Sequence, residues 1–182
     1  MKRIIIIVVV VLVVLAGATA AWVILVGNKR SPEQLVSAQL AGTEVKVTYC
    51  RPFKKGRLIF GEEAASALVP YGKYWRLGAN ASTEISFSKD VQFGDKPVQA
   101  GTYRMYAIPG AQSWTVALNS ELGQWGALEP DYTKDVTRIE VPVNANPELE
   151  QFTLTLTPDS AAVNMDFAWD QTIVRVPIGV QK

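Results

Sequence analysis

The sequence predicts an all-β domain, an antiparallel β-sandwich or barrel of about eight strands, carried behind an N-terminal transmembrane helix. Three observations predict it. From Thr43 onward, apolar residues alternate with polar ones at a period of two. The segments between the alternating runs carry Gly, Pro, Asp and Ser in turn-forming combinations. Ile4 to Val26 is an unbroken run of 23 apolar or small residues.

At about 1.5 Å per residue that run makes a helix of roughly 34 Å, enough for a hydrocarbon core of about 30 Å. A cleavable signal peptide is the competing reading: Lys2 and Arg3 precede the run, and Ala18-Thr19-Ala20 offers a small-x-small cleavage site. The stretch Trp22 to Val26 continues the apolar run past that site, which an anchor needs and a signal peptide does not. An uncleaved signal anchor over residues 1–30 is therefore expected. No second apolar run follows, so the C-terminal domain is expected on the periplasmic or extracellular side of a single-pass membrane protein.

Ser31-Pro32-Glu33-Gln34 has helix-start chemistry, with Ser at the N-cap and Pro at the first helical position. A short connecting helix over 31–41 follows from it, leading into a β-rich domain over 42–182. There Val45, Val47 and Tyr49 alternate with polar neighbours. Strand signals recur at 83–88, 102–108, 114–118, 136–143, 152–157, 161–169 and 172–178. Phe93-Gly94-Asp95-Lys96-Pro97, Pro109-Gly110-Ala111 and Pro158-Asp159-Ser160 supply turns. Glu62 to Leu68 reads as one helical interruption, and Glu121 to Ala127 as a helical turn weakened by its two glycines.

Composition narrows the chemistry. With no histidine and one cysteine, Cys50, the chain lacks imidazole acid-base chemistry, Ser-His-Asp and Cys-His arrangements, His-containing zinc sites and any internal disulfide. Residues 31–182 carry 14 Lys and Arg against 17 Asp and Glu, a net charge of −3, which argues against nucleic acid as a partner. No cofactor, metal or catalytic set is specified.

Several spaced motifs point to one family: Tyr49-Cys50-Arg51-Pro52, Lys55-Gly56-Arg57-Leu58-Ile59-Phe60-Gly61, Val69-Pro70-Tyr71-Gly72-Lys73-Tyr74-Trp75-Arg76 and Gly78-Ala79-Asn80. Phe87-Ser88-Lys89-Asp90-Val91, Ala100-Gly101-Thr102-Tyr103 and Ile108-Pro109 continue the series. Together they resemble the exported bacterial family named domain of unknown function 2911, over about residues 45 to 140. The resemblance implies an exported or membrane-attached β-protein and carries over no catalytic residues. The family usually has Ser where this chain has Cys50, which implies that the thiol has no role of its own.

Charge is segregated. Residues 46–76 hold seven basic residues against Glu62 and Glu63, whereas residues 77–182 hold seven against thirteen acids. The candidate ligand-binding residues are Arg51, Lys55, Arg57, Lys73, Trp75, Arg76 and Asn80, since arginine forks suit carboxylate or phosphate and an adjacent Trp offers a stacking face. Most of the aromatic residues are expected in the core, with Trp75 or Trp125 as the exposed one. The ligand would be an acidic sugar, a phospholipid headgroup or a peptidoglycan carboxylate. The same arginines are also placed to pair with the acidic strands. The favoured function is a non-catalytic module of the cell envelope that binds an anionic ligand, glycan or partner. The alternative is an envelope carbohydrate hydrolase using paired carboxylates among Glu129, Asp131 and Asp135.

Overall fold

The structure, a computed structural model, describes residues 10–19 and 31–180. Residues 10–19 are helical and exposed, and among the described residues no helix is long and apolar enough to cross a membrane. The rest of the expected Ile4–Val26 span lies outside the described residues.

The domain is built from eleven strands: β1 (Glu33–Leu40), β2 (Thr43–Cys50), β3 (Phe60–Gly61), β4 (Val69–Pro70), β5 (Thr83–Phe87), β6 (Val91–Phe93), β7 (Lys96–Val98), β8 (Gly101–Pro109), β9 (Ser113–Asn119), β10 (Asp135–Pro158) and β11 (Ala162–Val180). Nine of them form one antiparallel sheet in the order β1-β2-β5-β8-β9-β10-β11-β6-β7. The sheet is not closed, so the barrel alternative does not hold. The short pair β3 and β4 runs parallel beside it.

Alternation decides most of these elements. In β2 the side chains of Thr43, Val45, Val47 and Tyr49 are buried and the intervening ones are more exposed, as a strand with one face on a core requires. The expected helix over 31–41 is instead β1, paired residue for residue with β2 from Glu33↔Cys50 to Leu40↔Thr43. Two causes outweigh the Ser-Pro N-cap chemistry. Gln34, Val36, Ala38 and Leu40 turn inward at period two. Ala41 and Gly42, at φ 48° and 75°, make the two-residue hairpin turn whose twist suits paired strands. A helix of eight residues gains too little by itself to compete with a full ladder.

Two further expectations change for geometric reasons. The segments at 136–143 and 152–157 are one strand, β10, with irregularities at Ala145/Leu149 and Leu149/Thr153 around Pro147. Bulges bend a strand without ending it. The first half of β10 therefore pairs with β9 and the second half with β11. The helix expected over Glu62 to Leu68 shrinks to a 3-10 turn at Glu63–Ala65, ended by Ser66 at φ 57°. The chain must return so that Leu68 N–H and Val69 N–H reach the carbonyls of Leu58 and Ile59 at 2.9 and 2.8 Å, which leaves no room for a longer helix. Glu121 to Ala127 is irregular, with Ser82 Oγ donating to the Gln124 carbonyl at 2.9 Å.

The core gathers side chains from β2, β5, β8, β9, β10 and β11. Trp75, Phe60, Trp114, Phe152 and Trp169 meet at centroid separations of 5.0 to 6.2 Å, and Tyr49 on β2 meets Phe152 on β10 edge-on at 5.6 Å. The Tyr49 hydroxyl accepts from Leu154 N–H at 2.9 Å and donates to its carbonyl at 3.2 Å, joining the same two strands. Burial first, and for Tyr106 also the Asp135 carboxylate it donates to at 2.6 Å, raises the phenol pKa values of Tyr49, Tyr74 and Tyr106.

A raised phenol pKa means that the folded state keeps its proton when the unfolded chain has lost it. The resulting stabilisation is complete below the unfolded value of about 10 and is lost as pH rises toward the folded values. The melting temperature is therefore expected to fall above about pH 9, first as the unfolded chain's Cys50 thiol ionises and then as its tyrosines do. With no histidine in the chain, it should stay nearly flat between about pH 6 and 8. A pH series of thermal melts checks this; a steep change near pH 6.5 would contradict it.

Candidate functional site

Two loops build the site. One, 51–58, leaves the end of β2. The other, 71–80, enters β5 and is fixed at its centre by Trp75, whose N–H and carbonyl pair with the carbonyl and N–H of Ala107 at 2.8 and 2.9 Å. Between them opens a cleft of about 570 Å³ lined by Lys55, Arg57, Arg76, Asn80, Trp75 and Trp169, together with Ser31, Pro52, Phe53, Leu68, Val69, Gly78 and Ala79. That volume is in the range of small-ligand sites.

The seven candidate residues divide. Lys55, Arg57, Trp75, Arg76 and Asn80 line the cleft, whereas Arg51 and Lys73 do not. The Arg51 guanidinium turns to β10, donating to the Phe152 carbonyl at 3.2 Å and Thr153 Oγ1 at 2.9 Å. Lys73 pairs with Glu63 on the surface at 3.3 Å. Lys54 pairs with Glu148 and Asp170 at 2.6 and 2.7 Å. Ion pairing with the acidic strands thus accounts for Lys54, and backbone and hydroxyl bonding for Arg51.

The cleft cations are different. Among the described residues no carboxylate forms an ion pair with the side chains of Lys55, Arg57 or Arg76; the Glu150 carboxylate accepts from Lys55 N–H at 2.9 Å, and no acid lines the cleft. Arg57 is held by its own loop, donating to the carbonyls of Lys54 at 2.9 Å and Phe53 at 2.5 Å. Half-buried Arg76 donates only to the Asn80 carbonyl at 3.3 Å. Burial, and behind it the neighbouring Arg104 cation, pushes the Arg76 pKa below its ordinary value. Three cations on one concave surface, Arg57 and Arg76 among them without a carboxylate partner, favour a negative occupant.

Trp75 is 6% exposed, correcting the expectation that it offers an open stacking face. Its indole is the centre of the aromatic core and only its edge reaches the cleft floor beside Trp169. Trp125 is exposed at 47%, but it borders a separate groove of about 410 Å³ that also contains Glu33 and Glu84.

The three acids first considered as a catalytic set are engaged locally. Asp131 caps the 3-10 turn by accepting from Thr133 N–H at 3.0 Å. Asp135 accepts from Tyr106, Asn119 and Arg138, and Glu129 accepts from the Tyr132 hydroxyl at 2.6 Å. None of the three lines either of the two described clefts.

Arg104 is the functional-type residue that the sequence reading missed. Its side chain is fully buried, Nη2 donates to the Tyr74 hydroxyl and the Leu128 carbonyl, and Nε and Nη1 have no hydrogen-bond partner among the described residues. The nearest carboxylate, Glu121, is 3.9 Å away. A lone charge in the run Tyr103-Arg104-Met105-Tyr106-Ala107-Ile108 was the available signal. Its charge adds to the positive field around Arg76.

Cys50 lies buried next to the cleft wall, and burial pushes its thiol pKa up. A neutral buried thiol is a poor nucleophile. Cys50 is expected to remain unlabelled by a thiol-reactive disulfide reagent in the native protein and to titrate as one thiol in guanidinium; rapid native labelling would contradict this.

The family described as protein of unknown function (DUF2911) matches residues 31–178. No curated protein and no solved structure matches the chain. With most of its length covered by that family, the chain belongs to it.

Proposed function

We propose that this member of the DUF2911 family is a membrane-anchored, non-catalytic binding module of the cell envelope. Residues 1–30 hold it as a single-pass anchor, and the domain faces the periplasm or the exterior. Its ligand carries negative charge and enters the cleft between loops 51–58 and 71–80. One observation carries this reading: Lys55, Arg57 and Arg76 converge on one cleft that no carboxylate lines. Asn80 supplies a polar contact beside them, and Trp75 and Trp169 form an apolar floor. The bent sheet is read as a sandwich that holds the two loops rigidly.

The test is a Lys55→Gln, Arg57→Gln, Arg76→Gln variant of the full chain in neutral detergent. Retention on envelope fractions is expected to fall by about a hundredfold, at roughly fivefold per cation. Circular dichroism should stay unchanged because Lys55 and Arg57 are exposed and none of the three holds an ion pair. Unchanged retention would sink the proposal.

A hydrolase needs two carboxylates across one bond. Glu33 and Glu84, beside exposed Trp125, are the carboxylates that share a described groove, and they support this second reading.

A further inference from the structure

The anion-binding cleft has a feature that its charge alone does not require. Leu58 and Leu68 are 47% and 42% exposed, although the domain has a large core in which to place leucines. They sit side by side, with Leu68 N–H donating to the Leu58 carbonyl at 2.9 Å. Leu68 lines the cleft, and exposed Leu58, whose side chain lies beside Gly61 outside that lining, adjoins it, so apolar surface flanks the opening that the unpaired cations line. Bare apolar surface next to basic side chains matches the interface of a membrane bearing anionic lipids, where leucines enter the acyl boundary and cations meet phosphates.

Chain length supplies an independent constraint. Ser31 also lines the cleft, and only residues 27–30 separate it from Val26, the last residue of the apolar run. Five Cα steps reach at most about 18 Å. If the run spans the bilayer, this wall of the cleft is held close to the headgroup layer, which extends roughly 5–8 Å beyond the hydrocarbon core on each side.

We propose that the occupant of the cleft is the phosphate-bearing headgroup of an anionic phospholipid in the adjoining leaflet. Lys55, Arg57 and Arg76 would face the phosphate, while Leu58 and Leu68 insert beside it. A free phosphate shares the charge but not the tail, and a zwitterionic lipid shares the tail but not the net charge. The proposal rests on the anion-binding reading of the cleft and makes its ligand specific.

The experiment titrates the full chain, in neutral detergent, with short-chain phosphatidylglycerol, short-chain phosphatidylcholine and inorganic phosphate, and reads heat of binding. Phosphatidylglycerol is expected to bind at least about tenfold more tightly than either comparator. Arg57→Gln should weaken it about fivefold. Leu58→Asn with Leu68→Asn should reduce it to the level of inorganic phosphate. Leu68→Asn alone serves as the milder variant, and circular dichroism confirms each fold. If inorganic phosphate binds as tightly as phosphatidylglycerol, and Arg57→Gln weakens both, the lipid inference fails and the anion cleft stands. If phosphatidylcholine binds equally well, the surface is merely apolar and the lipid inference again fails. If neither anion binds, both readings fall.

Discussion

Replacing Trp75 with alanine is expected to destabilise the domain by about 3–5 kcal/mol and to lower its melting temperature by about 10 °C or more. The indole is 6% exposed and touches Phe60, Trp114, Phe152 and Trp169 at centroid distances of 5.4, 5.5, 5.1 and 6.0 Å. Removing it leaves a cavity in the core, and four rigid rings cannot all collapse into it. Trp75→Phe would fill part of that volume and should recover more than half of the loss. Urea unfolding of the three proteins checks this. A loss below about 1 kcal/mol for alanine would mean that the tryptophan is an exposed platform after all.

Gly78→Ala is expected to cost about 2–4 kcal/mol despite adding a single methyl group. Gly78 has φ 150°, which side-chain-bearing residues rarely adopt, and a Cβ there would lie 2.6 Å from the Cys50 carbonyl oxygen. The neighbour is backbone at the end of β2, so neither side can yield cheaply. Because this close approach seats residues 76–80 against β2, the substitution should also displace Arg76 and Asn80 and weaken anion binding. Unfolding by urea gives the first effect and calorimetric titration with short-chain phosphatidylglycerol the second. Stability within about 0.5 kcal/mol of wild type would contradict the geometry.

The contrast between these two positions shows what the sequence could and could not reveal. The buried alternation of Val45, Val47 and Tyr49, and the turn at Pro158-Asp159-Ser160, are local, and both were legible. The strand Glu33–Leu40 was not, because Ser31-Pro32 mimics a helix start and the partner that overrides it follows only after Gly42. Trp75 stands between Lys73 and Arg76 in a loop, so it resembles a surface residue until Ala107 is seen to hold its backbone.

The basic segment was legible as a group, and five of its seven candidates do share one cleft. The division among them depends on β10 and β11, which capture Arg51 and Lys54 from about a hundred residues away in the chain. That no carboxylate lines the cleft of Lys55, Arg57 and Arg76 is likewise a property of the folded surface. Sequence charge counts alone could not show it.

The most direct measurement is a nitrogen-detected or proton-detected titration of arginine Nε–Hε and tryptophan indole resonances in the full chain in neutral detergent. Short-chain phosphatidylglycerol and inorganic phosphate are added in parallel at low and physiological salt. An anion in the cleft should shift Arg57 and Arg76 in a saturable way, leave Arg51 and the Trp125 indole in place, and bind more weakly as salt screens the charges over about 8–10 Å. Saturable shifts at Trp125 with Arg57 and Arg76 unmoved would place the ligand in the groove of Glu33 and Glu84 and contradict the account.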